Sequence, residues 1–205
     1  MSSDFDYLGN RVPVREAFLD YVVNILKKGG VILLPTDSMY SLSCSVMEKK
    51  AINRLYKLKK VDKFKPMSLI CSGISMASEY ALISNRAFKL IKRLTPGPYT
   101  FILEATKVVP KVMLTRRRTV GIRIPDKKIS LDIVEKLGCP LLSTSISSIV
   151  DKDILDPDEL RKFFGNRVDC VVDGGKLFTD ETTIIDLTGD EPEIIRKGLG
   201  EVDFL

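Results

Sequence analysis

The sequence contains no histidine, so it lacks the side chain that most often acts as a general base near neutral pH. This absence excludes Ser-His-Asp and Cys-His catalytic arrangements. Cysteine is scarce: the four cysteines are Cys44, Cys71, Cys139 and Cys170. They form no CxxC pair, which excludes a familiar zinc site and favours buried, reduced thiols. Any catalysis would therefore depend on charge and on the positioning of substrates.

Long apolar runs are also missing, and none approaches the roughly 20 residues that span a membrane. The first six residues are acidic and lack the apolar stretch of a secretory signal. With 205 residues, 44% of them hydrophobic and 29% charged, the composition is that of a globular protein with one core. We therefore predict a single cytoplasmic domain over residues 1–205, with no membrane association.

Positive charge is present in modest excess, with 32 Lys and Arg against 27 Asp and Glu, but it is unevenly placed. One cluster comprises Lys57, Lys59, Lys60, Lys63 and Lys65, and the other is Arg116–Arg118. Such clusters are usually solvated faces, although they also attract phosphate groups. They leave open both a phosphate-binding role and a purely solvating one.

Helical and strand patterns alternate along the chain, which predicts an α/β layered domain. Helices are predicted over residues 14–28, 48–60, 85–94, 130–137 and 160–164. Strands are predicted near residues 31–34, 67–71, 99–103, 119–124, 140–143, 168–172, 183–187 and 193–196.

An apolar strand at residues 31–34 leads directly into the polar segment Pro35-Thr36-Asp37-Ser38-Met39-Tyr40-Ser41-Leu42. Hydroxyls, a carboxylate and a phenol at the end of a buried strand are typical of the mouth of a ligand site. An ordinary turn, with Asp37 or Ser38 capping the next element, is the alternative.

Hydroxyls and isolated arginines recur at other predicted strand ends. These segments are Pro98–Thr100, Gly121–Pro125, Leu142–Ser148 and Thr182–Thr183. In an open α/β sheet, loops beyond strand ends converge on one crevice. A histidine-free site of Lys, Arg, Ser and Thr suits an anionic ligand and phosphate chemistry, in which the protein positions groups and neutralises charge.

Four segments, in this order, resemble blocks of the YrdC/Sua5/YciO family, the threonylcarbamoyl-AMP synthases and their relatives. They are Gly30–Leu42 (PTDT-x-Y-G-L), Thr95–Leu103 (PGP-x-T), Val120–Pro125 (VG-x-R-x-P) and Pro140–Ser148 (P-L-x-S-T-S-A-N). Thr182–Leu187 and Arg196–Gly198 agree with them, so the resemblance covers nearly the whole chain. It implies an α/β fold: a twisted mixed β-sheet flanked by helices around a large electropositive cavity.

The resemblance also implies an activity. Synthases of the family convert L-threonine, bicarbonate and ATP with Mg²⁺ into threonylcarbamoyl-adenylate and pyrophosphate, which leads to the t6A modification of tRNA. The implied catalytic residues are Lys57 and Lys59, matching a K-x-R pair, and Ser145 and Ser147, matching an S-x-N pair. The implied residues for binding threonine or a similar amino acid and the nucleotide are Thr36, Tyr40, Thr100, Arg123, Ser143, Thr182 and Arg196. No protein metal ligand is implied.

The sequence departs from the synthase pattern at three positions: Lys59 replaces an arginine, Ser147 an asparagine and Ser41 a glycine. Lysine lacks the bidentate fork of arginine and serine lacks the amide of asparagine, so catalysis is predicted to be weak. The longer segment from Lys60 to Pro66 also resembles the YciO branch. Two alternatives stay open: a double-stranded RNA or tRNA-binding protein without catalysis, and a protein that binds ligand without turnover.

Overall fold

The computed structural model describes residues 14–60, 67–113, 117–150, 156–177 and 180–203. Its α-helices are α1 Val14–Lys27, α2 Lys49–Lys59, α3 Ile74–Tyr80, α4 Asn85–Leu94, α5 Lys128–Leu137 and α6 Pro157–Phe164. Its strands are β1 Val31–Pro35, β2 Tyr40–Ser45, β3 Ser68–Ile70, β4 Ala81–Leu82, β5 Tyr99–Ala105, β6 Thr119–Arg123, β7 Leu141–Ser145, β8 Cys170–Val171, β9 Thr183–Asp186 and β10 Glu193–Arg196. Short 3₁₀ helices cover Lys111–Met113 and Gly165–Arg167.

All the described strands belong to one mixed sheet in the order β10-β9-β5-β6-β3-β7-β2-β1-β8, with β4 paired to β5. The pairs β1/β8, β3/β6 and β5/β9 are parallel, and the other pairs are antiparallel. The strand order differs widely from the chain order. Segments far apart in the sequence therefore become neighbours, and the predicted α/β fold with a mixed sheet is confirmed.

One side of the sheet, which we call the core face, is apolar across its whole width. A row of paired residues, each from a different strand, crosses it: Val31, Cys44, Leu142, Leu69, Ile122, Phe101 and Ile185. Every member of the row is fully buried. Apolar residues of α2, α3, α4 and α6 belong to the same cluster, so these helices close the core on this side.

The opposite side of the sheet is divided. Its apolar part comprises Ile32, Leu34, Ile70 and Leu141, which cluster with buried residues of α1 and α5. Its polar part, which we call the hydroxyl face, comprises Ser41, Ser43, Ser68, Thr100, Ser143 and Ser145, together with Gly121 and Arg123. Because side chains alternate along a strand, each hydroxyl residue is a sequence neighbour of a core-face residue.

Local sequence signals explain several element boundaries. Ser84 caps α4 by accepting a hydrogen bond from the amide of Ala87 at 3.2 Å. Asp156 caps α6, with Pro157 in its first turn, so this helix begins earlier than the predicted residue 160. The strand predicted over 168–172 is confined to Cys170–Val171. Helix α3 and strand β2 were not predicted.

No helix among the described residues is long and apolar enough to cross a membrane. Cys44 and Cys71 are buried and Cys139 and Cys170 are partly buried, all as free thiols. Burial raises the pKa of both Cys44 and Cys71 to about 12. The prediction of buried thiols is confirmed for Cys44 and Cys71, whereas Cys139 and Cys170 are only partly buried.

Candidate functional site

The turn between β1 and β2 organises the predicted mouth of the site. The Thr36 hydroxyl donates to the carbonyl of Met39 at 2.6 Å. The Oγ1 of Thr36 also accepts from the amides of Ser38 and Met39, both at 3.3 Å. Thr36 is fully buried. This predicted binding residue therefore shapes the turn, and the turn holds Asp37 and Ser38 against the end of β6.

Arg123 is a deeply buried cation of the site. Its Nη2 donates to Asp37 Oδ1 at 2.7 Å and to Ser38 Oγ at 3.3 Å, while the other oxygen of Asp37 accepts the amide of Asp126 at 2.9 Å. The side chains of Arg123 and Asp37 are only 10% and 7% exposed. The Nε of Arg123 is buried and has no hydrogen-bond partner among the described residues. One donor of this guanidinium is thus left without an acceptor, at an atom that solvent does not reach.

Opposing effects act on the pKa of Arg123. Burial lowers the pKa of Arg123, the neighbouring Asp37 raises it, and the positive charge of Arg196 lowers it further. The coupling with Arg196 indicates that the two arginines share one electrostatic environment. An anion between them would relieve both the desolvation and the like-charge repulsion.

Small hydroxyl side chains form the floor beside these arginines. Ser43 Oγ donates to Ser143 Oγ at 3.0 Å, and Ser41 Oγ lies 3.2 Å from Ser43 Oγ. Gly121 completes the floor because a Cβ at this position would lie 2.9 Å from Ser68 Oγ and 3.4 Å from the Thr100 methyl group. This part of the hydroxyl face is therefore lined by small polar side chains and by a glycine.

A chain of hydrogen bonds connects the hydroxyl face to β9 and β10. Ser145 Oγ lies 3.0 Å from Ser147 Oγ, which donates to Glu181 Oε1 at 3.4 Å. Glu181 Oε2 accepts from Arg196 Nη1 at 2.6 Å. Farther along, Arg196 donates to the Thr182 carbonyl, and the Thr182 hydroxyl lies 2.9 Å from that of Thr100. The structure thus brings together residues from four separate sequence segments.

The two predicted catalytic lysines occupy different environments on α2. Lys57 is exposed, as helical spacing predicts. Lys59 is only 6% exposed, and its Nζ donates to the carbonyl of Ser145. Lys59 therefore holds the end of β7 from which Ser145 and Ser147 extend.

Of the other basic residues, Lys63, Lys65 and Arg116 lie outside the described residues, whereas Arg117 and Arg118 are exposed. The RNA-binding hypothesis stays a prediction.

Tyr40 differs from the other predicted residues because it lies in the core-face cluster. Its hydroxyl donates to the carbonyl of Gly175 and accepts from the amide of Gly174, both at 2.9 Å. Burial raises the pKa of this phenol. Tyr40 fixes the segment after β8 through these bonds, and its predicted role in binding threonine stays a prediction.

The structure thus joins nine of the predicted residues through the hydroxyl face and its rim: Thr36, Lys59, Thr100, Arg123, Ser143, Ser145, Ser147, Thr182 and Arg196. Lys57 is exposed on α2, and its predicted catalytic role stays a prediction. The sequence reasoning assigned no role to Ser43, Ser68 or Glu181. A signal for Ser43 exists, because residues 40–45 alternate strictly between apolar or aromatic residues and serine, the pattern of a half-buried strand. No local pattern indicates Glu181.

A separate cavity of about 640 Å³ lies at another edge of the sheet. It is lined by β4, the start of α4, Glu104 of β5 and the segment after β9. Arg86 at its rim is already paired with Glu191. Neither the hydroxyl face nor its arginines line this cavity, so we place the candidate site at the hydroxyl face on chemical grounds.

Comparison with known proteins agrees with this fold. The model of the Sua5/YciO/YrdC family, described as "Telomere recombination", matches residues 24–198. An uncharacterized protein of Haemophilus influenzae is 41% identical over 201 residues, covering 97% of both chains. The uncharacterized protein YciO of Escherichia coli K12 is 38% identical over 205 residues, covering 98% of both. A putative threonylcarbamoyl-AMP synthase of Methanocaldococcus jannaschii is 30% identical over 186 residues, covering 90% of this chain and 87% of that protein.

Solved structures show the same relationship. The crystal structure of Escherichia coli YciO superposes with a TM-score of 0.86 at 39% identity, covering 93% of both chains. That of Pyrococcus abyssi Sua5 complexed with L-threonine gives 0.82 at 26% identity, covering 92% of this chain and 56% of that one. An α/β domain whose mixed sheet carries a hydroxyl-lined face with two arginines is the class of protein that the geometry defines. The chain belongs to the Sua5/YciO/YrdC family.

Proposed function

We propose that the hydroxyl face binds ATP with Mg²⁺ together with L-threonine or a similar amino acid, and that the protein is a threonylcarbamoyl-AMP synthase-type nucleotidyltransferase. Its product would serve the t6A modification of tRNA. The structure of a relative complexed with L-threonine and the 30% identity to a putative synthase support the substrate class. We expect slow turnover, because two positions of the synthase signature are altered in this chain.

The observation that carries the proposal is that Arg123, Arg196 and linked serine and threonine hydroxyls gather on one face of the sheet, where the Nε of Arg123 has no partner among the described residues. Leaving a buried donor of a charged group without an acceptor costs about 1–3 kcal/mol or more. An anionic group of a ligand, phosphate or carboxylate, placed beside Arg123 would offset the charge of this buried guanidinium. The neighbouring serine and threonine hydroxyls would then hydrogen-bond the remaining oxygens.

The proposed reaction needs little covalent participation by the protein. The amine of threonine attacks the carbon of bicarbonate, giving a carbamate and releasing water. An oxygen of the carbamate attacks the α-phosphorus of ATP, the bond from that phosphorus to the bridging oxygen breaks, and pyrophosphate leaves. Holding two anions in contact requires cations, which Lys57, Arg123 and Arg196 supply, and orientation, which Ser145 and Ser147 supply.

The residues present fit a magnesium ion that arrives on the triphosphate. Mg²⁺ usually keeps several waters and binds substrate phosphates with only one or two protein carboxylates. No group of three or more potential ligand side chains occurs in the described part of the chain. Asp37 is buried, whereas the carboxylate of Glu181 is 43% exposed and so is the one in this network that solvent and a metal ion can reach. When bound, the metal would neutralise charge on the phosphates.

Pyrophosphate release tests the proposal. We expect release from ATP that depends on both bicarbonate and L-threonine, and calorimetric binding of ATP even where turnover is slow. Lys57→Ala should weaken ATP binding about ten-fold, because it removes an exposed cation near the phosphates. Lys50→Ala is the matched control, since Lys50 is exposed two turns earlier on the same helix.

Two results would contradict the proposal. The first is the absence of any pyrophosphate release together with ATP binding that Lys57→Ala leaves unchanged. The second is equal loss of binding in the Lys57 and Lys50 variants, which would indicate a general charge effect. Binding of ATP and threonine without release of pyrophosphate would instead support the hypothesis that the protein binds ligand without turnover.

A further inference from the structure

An exposed carboxylate, that of Glu181, lies among the cations and hydroxyls of the site. Glu181 immediately precedes Thr182 and bonds to both Arg196 and Ser147. An acid is unexpected in a site that must accept negatively charged groups, because like charges repel and lower the affinity for anions. Its position therefore calls for a physical explanation.

The guanidinium of Arg196 is fixed independently of Glu181. Its Nε and Nη2 donate to the carbonyl of Thr182 at 3.1 and 2.8 Å. Only Nη1 points to Glu181 Oε2, at 2.6 Å. Removal of the carboxylate would thus leave the arginine in place, with one donor directed at the vacated position.

Ser147 supplies the second donor to the same position. Its hydroxyl donates to Glu181 Oε1 at 3.4 Å and is itself supported by Ser145 Oγ at 3.0 Å. The two oxygens of one carboxylate therefore link β10 to the segment after β7. A phosphate or carboxylate group has the same pair of acceptor oxygens and can accept from the same two donors.

We infer that Glu181 is an internal anion: its carboxylate occupies an anion subsite formed by Arg196 and Ser147, and a phosphoryl group of the ligand displaces it. The inference rests on the proposed function, since it requires that this face binds anions. The side chain of Glu181 is 43% exposed, so it is free to turn toward solvent when displaced. Glu181 thereby lowers the affinity of the site for phosphoryl groups and sets which ligands enter it.

Calorimetric titration with pyrophosphate, in EDTA to remove divalent cations, tests this inference. We expect Glu181→Gln to bind pyrophosphate about three- to ten-fold more tightly than the unaltered protein, because one like charge is removed at a partly exposed site. Glu181→Ala should increase the affinity for pyrophosphate at least as much, since it also removes the side chain from the subsite. Glu159→Gln is the charge-matched control: this exposed residue lies on α6, which packs against β8 at the opposite edge of the sheet from β9 and β10.

The gain must depend on the arginine. In the double variant Glu181→Gln/Arg196→Gln the tighter binding should disappear, and a thermal melt checks that each variant is folded. Unchanged or weaker pyrophosphate binding by both Glu181 variants would overturn the inference. An equal gain in Glu159→Gln would also overturn it, because the effect would then come from net charge.

The outcomes separate this inference from the proposed function. Binding of pyrophosphate and ATP by the unaltered protein, with no gain on removing the Glu181 charge, rejects only the internal anion. Absence of binding by the unaltered protein and by every variant rejects both. Binding gained only when Glu181 is replaced supports the internal anion and shows that the native carboxylate blocks the site.

Discussion

Successive residues of the central strands alternate between the two faces of the sheet, yet the two faces differ in character. On β3, Ser68 belongs to the hydroxyl face and Leu69 to the core face. On β7, Ser143 and Leu142 are related in the same way. The core face is covered by α2, α3, α4 and α6, and α1 and α5 cover the apolar part of the other face, on which Ser41, Ser43, Thr100 and Ser143 are also buried.

The comparison shows how one sheet provides both stability and a binding surface. Burial of apolar area on the core face supplies most of the folding free energy, which leaves the other face free to carry small polar groups. Serine and glycine there keep the surface shallow and supply hydrogen bonds. Ligand affinity is therefore expected to depend on one face and stability mainly on the other.

Arg123 offers the strongest test of this division, because its buried ion pair with Asp37 lies on the hydroxyl face and also contributes to stability. Arg123→Met leaves Asp37 buried without its cation, and we expect a loss of about 3–5 kcal/mol in the free energy of unfolding. In the double variant Arg123→Met/Asp37→Asn most of this loss should be recovered while ATP binding stays absent. Denaturant unfolding and calorimetry measure the two effects. Full ATP binding by the stable double variant would contradict the assigned role of Arg123.

The neighbours Leu69 and Ser68 test the division between faces directly. Leu69→Ala should lower the free energy of unfolding by about 3 kcal/mol, because Leu69 is fully buried in the core-face row. Ser68→Ala should cost less than about 1 kcal/mol. Denaturant titration of both variants gives the comparison. Similar losses for the two residues would show that the hydroxyl face is packed as tightly as the core.

Alkaline pH probes the core face through its buried thiols. The pKa of Cys44 and Cys71 is about 12 in the folded protein, raised above the unfolded value of 9.0 by burial. Because the unfolded thiols lose protons first, stability is complete below pH 9 and falls as the pH rises toward 12. At pH 10 we expect a loss of about 1.4 kcal/mol for each thiol.

Unfolding experiments between pH 8 and 10.5 measure this loss. The double variant Cys44→Ala/Cys71→Ala is the control, and its stability should depend less steeply on pH. An equally steep dependence in that variant would assign the effect to other groups, such as the buried phenols. Rising stability across this range would contradict the burial of both thiols.

Local patterns predicted most of the elements correctly. The apolar spacing in α1, α2 and α4 and the apolar run of β1 are recognisable without tertiary information, since they depend on helical or strand periodicity. Strand β2 carries an equally clear alternation, but its serines suggested a polar loop after Pro35. Its pairing with β7, about a hundred residues later, makes those serines part of a sheet.

The site was predictable only in part. Thr36, Arg123 and Ser145 lie in segments whose composition indicates an anion site. The burial of Lys59 was not predictable, because it results from contact with the Ser145 carbonyl, 86 residues away. The same holds for Glu181, which meets Ser147 only because β9 pairs with β5 at one end of the sheet.

The sequence by itself determined the periodicity of the elements, the histidine-free chemistry and the presence of arginines and hydroxyls at strand ends. These properties are local, since side-chain alternation and composition do not depend on distant neighbours. Only the tertiary structure decided which of these groups meet. Strand order and register are non-local, and they place Arg123, Ser43, Ser143 and Glu181 around one face of the sheet.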